Sequence, residues 1–200
     1  MPIDSSRYSN TYTRHLHNYA DKYQDIAPQS FSTTSSWSSN PTGAHDASTK
    51  NGYEGYPKLT NTRAKDLNAE MHLAGAATNP RNPIATVTTI KKPDDLNIAK
   101  TPNTITKFVV TGDGQMVVAN INKNVAPKMV SHPAVAEMGA GAGQSSNVVS
   151  AGYLKQTLTG KTYLSNTSGH YQPAKNDMKP AQYHLEKIGV KSTNSKFGVF

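Results

Sequence analysis

The apolar residues of this chain are distributed so unevenly that they decide where a core can form. They are sparse before about Lys58 and dense from Ile84 onward. The early stretch, which includes "SFSTTSSWSSNPTGAHDASTKNGYEGYP", is rich in Ser, Thr, Asn and Tyr and shows no sustained period-two or period-3.6 apolar pattern. With so little to bury, such a segment cannot offset the conformational entropy lost on ordering. Residues 1–57 are therefore predicted to be disordered, apart from a short helical pattern around residues 15–26, and residues 58–200 to form a single α+β domain. At 200 residues the chain has room for one ordinary domain and a tail.

Charge and cysteine usage exclude several classes. The net charge is +8, but it rests on scattered lysines, and arginine occurs only at Arg7, Arg14, Arg63 and Arg81. Base and phosphate readers cluster arginine for bidentate contacts, so no specific nucleic-acid binding is expected, only a solvated basic surface. Cysteine is absent, which excludes disulfides, thiolate-held zinc and cysteine nucleophiles. No stretch has the apolar length of a membrane span, and the N-terminus lacks the apolar core of a classical signal peptide.

The patterned part begins with residues 59–77, "LTNTRAKDLNAEMHLAGAA". These read as a helix capped by Asn61 or Thr62 and stopped by Gly75. "IATVTTI" alternates like a strand. "ITKFVVTGDGQMVVANI" and "NVVSAGYLKQTLTGKTYLSN" each read as a hairpin around glycine-containing turns. "SHPAVAEMGAGAGQSS" between them reads as an irregular, closely approaching loop. A helix over residues 179–188 and a closing strand in "SKFGVF" complete the order. The resulting class is α+β, a largely antiparallel sheet of two hairpins with flanking helices.

Two histidine segments carry the candidate chemistry. In "SGHYQP", Gly169 supplies backbone freedom, Pro173 fixes the exit, and Tyr171 is expected to pack under the helix bearing Leu185 and Ile188. Ser168 and His170 suit a phosphate, ribose or carbonyl, and His170 suits general acid–base work near neutral pH. Ser131 and His132 precede a proline in the glycine-rich link, the kind of segment that lines a cleft, and the hairpins can bring His132 near His170. A histidine pair with neither cysteine nor adjacent carboxylates makes a poor metal site, so no metal is expected. "GAGAGQ" has the wrong spacing for a dinucleotide fingerprint, and no nucleophile elbow or glycosidase-type carboxylate pair is present.

Taken together, "FVVTGDGQMVV", "SHP", "VVSAGYL", "NTSGHYQP" and "LEKIGV" resemble, over about residues 108–190, a module of uncharacterised bacterial proteins. That module often forms the C-terminal part of predicted secreted toxins and effectors. Its pattern places Glu directly after "AG", where this chain has Tyr153. The resemblance implies a secreted or injected effector that acts in the cytosol of a target cell. It would modify a host or competitor protein, with a secretion chaperone engaging the N-terminal segment. By analogy with toxins of compact α+β fold, ADP-ribosyl transfer from NAD is the expected reaction. His132 and His170 would then do the chemistry, and Arg63, Ser131, Ser168 and Tyr171 would contact the cofactor. The alternative is an effector that acts only by binding protein.

Overall fold

Among the described residues, runs of β-branched and small apolar residues form six strands of one sheet. The computed structural model describes residues 52–53, 55–124 and 127–195, all within one unit, Thr49–Phe200. The strands are β1 (Ala85–Ile90), β2 (Thr104–Thr111), β3 (Met116–Asn122), β4 (Val148–Gln156), β5 (Thr162–Ser165) and β6 (Ser192–Asn194). They lie in the order β1-β3-β2-β4-β5-β6. All pairings are antiparallel except that of β5 with β6, which follows a crossover through a helix and is parallel. The fold is α+β, as the hairpin pattern predicts. The helices are α1 (Leu67–Ala77), α2 (His132–Ala140) and α3 (Lys179–Lys187).

The central strands do not alternate between buried and exposed residues. Ile105 to Thr111 of β2, Met116 to Ile121 of β3 and Val148 to Leu154 of β4 are buried throughout. Such continuous burial requires cover on both faces of the sheet. On one face, Ile105, Val109, Val117, Ala119, Ala151 and Tyr153 pack against alanines of α1 and α2. On the other, Phe108, Val110, Val118, Leu154 and Leu164 meet Leu96, Met178, Ala181 and Leu185. Leu96 comes from the 3-10 run Pro93–Lys100, and Leu185 from α3. Burying each large apolar side chain contributes about 1.5–3 kcal/mol before entropy is counted.

Several local expectations are corrected. The "SHPAVAEMGAGAGQ" segment is not an irregular loop, because its first half is α2. Ser131 is the N-cap, its hydroxyl accepting from the Ala134 N–H, and Pro133 sits in the first turn, where its missing N–H costs nothing. The small residues let α2 lie close to the sheet: a Cβ at Gly139 would stand 2.1 Å from a methyl of Val117. The last turn is closed by Glu137, whose two carboxylate oxygens accept from the N–H groups of Gly143 and Ser145.

α1 begins later than predicted, after a 3-10 turn at Ala64–Asp66, and runs through Gly75 to Ala77. Neither Asn61 nor Thr62 caps it. The closing strand lies at Ser192–Asn194, upstream of its expected place, and residues 196–200 are outside the described residues. At the other end, Tyr53 is buried and packs in the core with Leu185, so the packed domain starts upstream of Lys58. The remainder of the predicted disordered segment, with its helical pattern at 15–26, lies outside the described residues.

Candidate active site

The polar residues that interrupt the α1/α2 face of the sheet converge on one carboxylate. Glu70 projects from α1, and its Oε1 lies 2.5 Å from Nε2 of His170. Its Oε2 accepts from the Ser131 hydroxyl at 2.6 Å. His170 is held from behind, since both the N–H and the hydroxyl of Thr62 donate to its carbonyl at 2.9 Å. The side chains of Glu70 and His170 are each 14% exposed. With Nε2 turned to the carboxylate, no protein group among the described residues bonds to Nδ1. A carboxylate beside an imidazole whose second nitrogen is unengaged is an arrangement able to work as a general base.

Lys107 supplies the cation. It lies on the covered face of β2, in line with Ile105 and Val109, and is 5% exposed. Its ammonium donates to the Val130 carbonyl at 2.6 Å and stands 5.9 Å from the ring centre of Tyr153, its neighbour across β4. Burial lowers its pKa to about 8, while the negative charge of Glu70 pulls the other way. Tyr153, in turn, meets His132 edge-on at 5.4 Å and has its phenol pKa raised by burial.

The two histidines expected to act together have different characters. His132 is at the start of α2 and 2% exposed. Its Nε2–H donates to the Gly152 carbonyl at 2.9 Å, and its Nδ1 accepts from the Ser168 hydroxyl at 3.2 Å. Burial, reinforced by the Lys107 charge, drops its pKa to about 3. It is a buried strut pinning α2 to β4 and to the "SGHY" loop. Of the two histidines expected to do chemistry, His132 is thus the one with both ring nitrogens engaged within the fold.

The proposed cofactor contacts also separate. Ser168 is buried, donating to His132 and accepting from the Tyr171 N–H. Tyr171 is buried on the α1/α2 face, not under α3, and its hydroxyl donates to the Ser145 carbonyl at 2.7 Å. Burial raises its pKa far above the usual phenol range. Neither residue presents a free group to a ligand. Ser131 is also buried, although its hydroxyl touches the Glu70 carboxylate. Arg63 is exposed and follows Thr62 directly, so it stands beside the loop that carries His170.

Gly169 has ordinary backbone angles and open space at its Cβ position. The left-handed residue of the turn is Gln172, with φ of 44°.

Sequence reasoning missed Glu70 and Lys107. For Lys107 a signal existed, since a lysine in the apolar register of "ITKFVV" must be buried or must break the strand pattern. For Glu70 no local signal exists, as its partner is 100 residues away in sequence. A surface groove of about 760 Å3, lined by Lys100, Gln156, Lys161, Tyr163 and Lys191 among others, shares no residue with this cluster. Among the described residues no group of histidines and carboxylates suits a metal ion, and no helix is long and apolar enough to cross a membrane.

Compared with protein-family models, curated proteins and solved structures, the chain matches none.

Proposed function

We propose that this domain is an enzyme of the effector or toxin kind, in which Glu70 and His170 together accept a proton from a substrate hydroxyl or from water. The observation that carries this reading is the 2.5 Å contact between Glu70 and His170, with Nδ1 of the imidazole unengaged at a partly exposed edge. The resemblance of the sequence motifs to bacterial effector modules supports the context: a secreted or injected protein modifying a host or competitor target. NAD is the donor proposed for that modification. A carboxylate–imidazole pair suits a ribose hydroxyl or an incoming acceptor, and the exposed Arg63 suits a pyrophosphate. Such a substrate would approach from the Arg63 side, since Ser168 and Tyr171 are closed off.

The test uses the full chain with NAD, following nicotinamide release and the labelling of lysate proteins by a tagged NAD analogue. His170→Ala and Glu70→Gln should each lower turnover by about 10²-fold or more, the usual scale for a general base, with melting little changed. A folded chain that neither binds nor turns over NAD would sink the transfer reading. The alternative would then stand, an effector acting by protein binding, which Tyr153 in place of the module's Glu also favours.

A further inference from the structure

The groove of about 760 Å3 lies where the β4–β5 turn, the 3-10 run Pro93–Lys100 and the link from α3 to β6 meet. Each of these three segments contributes one lysine to its lining: Lys161 from the turn, Lys100 from the 3-10 run and Lys191 from the link. Asp94 is the one carboxylate among the lining residues. Three cations that border one concavity raise the local concentration of anions there, more than the same charges spread over a convex surface. Lys100 is held in place by its bond to the Asn97 side-chain oxygen at 2.8 Å. Gln156 lines the same groove; its Nε2 donates to the Thr162 hydroxyl at 3.2 Å, and its Oε1 is buried without a partner in the protein. A buried acceptor of that kind is uncommon, and a ligand hydroxyl would satisfy it. The volume is that of a small-molecule site.

The wall formed by the β4–β5 turn carries a second feature. Leu158, directly before the lining residues Thr159, Gly160 and Lys161, is 88% exposed and is the one exposed large apolar side chain among the described residues. The turn that presents it is closed: the Thr157 N–H donates to the Lys161 carbonyl and the Gly160 N–H to the Thr157 carbonyl, both at 2.9 Å. Gly160 takes the left-handed angle, φ of 82°, that this closure needs. A single exposed leucine elsewhere on a surface would mean little. This one stands at a fixed hairpin tip, at the rim of the groove with three lysines.

We propose that this end of the domain docks on a lipid surface, with a phosphorylated polyol headgroup in the groove and Leu158 in the apolar boundary of the bilayer. The lysines match the phosphates, and the Gln156 Oε1 and the Thr162 hydroxyl match the polyol hydroxyls. Neither contact suffices alone, because one leucine gives only marginal membrane affinity and a few lysines give only a diffuse attraction to anionic lipid. Joined on one rigid hairpin, the two act on the same surface at once. Leu158 is what favours a lipid over a free phosphorylated metabolite, since a soluble ligand in the groove would give the hairpin tip no apolar medium to enter. The groove shares no residue with the Glu70–His170 cluster, so this inference is independent of the chemistry proposed there.

The test is cosedimentation of the full chain with three kinds of vesicle: phosphatidylcholine alone, phosphatidylcholine with phosphatidylserine, and phosphatidylcholine with phosphatidylinositol bisphosphate at the same total charge. Binding should be tightest to the third and absent from the first. Equal binding to the two charged vesicles would reveal a diffuse basic surface and overturn the proposal. Lys161→Gln and Lys191→Gln should each weaken binding about fivefold, the usual worth of a lysine at an anionic membrane. Lys123→Gln removes an exposed lysine that does not line the groove and should change little; an equal loss in all three variants overturns the proposal. Leu158→Ser should weaken vesicle binding about tenfold and leave the affinity for free inositol trisphosphate, measured by calorimetry, unchanged. Binding of inositol trisphosphate without binding of the vesicles would assign the groove to a soluble phosphorylated ligand and overturn the membrane contact. All four side chains are exposed, so the variants should melt with the parent. No step uses NAD or turnover, so failure here is separate from failure of the transfer reading.

Discussion

His132 makes the stability of this domain dependent on acid, and the size of the effect follows from its burial. The folded chain holds the imidazole neutral with a pKa of about 3, against 6.5 when exposed. Below pH 6.5 the unfolded chain therefore takes up a proton that the folded chain refuses, and unfolding gains free energy. The contribution is fully present above 6.5 and is lost as pH falls from there toward 3, at about 1.4 kcal/mol per pH unit. Between pH 7 and pH 4.5 this one residue should cost about 2.5 kcal/mol. The perturbation that isolates it is His132→Gln, whose amide can still donate to the Gly152 carbonyl but does not titrate. Urea unfolding of both proteins at the two pH values gives four stabilities. The loss from pH 7 to 4.5 should be smaller in the variant by about 2.5 kcal/mol. His184 is also held below its usual pKa by burial, and its share remains in both proteins. Equal losses in the two proteins would show that His132 is protonated in the folded state, and the reasoning would fail.

Thermal melting tests the remaining two predictions. A Cβ at Gly152 would stand 2.0 Å from the Ser165 carbonyl oxygen, so Gly152→Ala must push β4 and β5 apart and should cost about 2–3 kcal/mol. Gly169→Ala meets open space and ordinary backbone angles and should stay within about 0.5 kcal/mol of the parent or gain slightly; equal damage in the two would refute this. Tyr171→Phe keeps the ring but removes the donor to the buried Ser145 carbonyl, and should cost about 1–3 kcal/mol. A melting point unchanged in Tyr171→Phe would mean that water or another donor replaces the phenol.

By itself the sequence determined the architecture. Turn glycines between runs of Val, Ile and Thr announce hairpins, and the switch to helical spacing after "QP" announces α3, because these signals lie within a few residues of each other. It also drew attention to His170, since glycine and proline around a histidine mark a shaped loop. It failed where small residues hide a helix: α2 has too few large side chains to show a period, and only its Ser131–Pro133 start betrays it. What only the tertiary structure decided is which histidine keeps a ring nitrogen unengaged. Both lie in similar motifs, but the packing of α2 onto β4 buries His132 and commits both its nitrogens, while α1 brings Glu70 to His170 at the edge. Burial and the choice of partner are set by contacts between segments far apart in the chain, and composition or spacing within one segment carries no record of them.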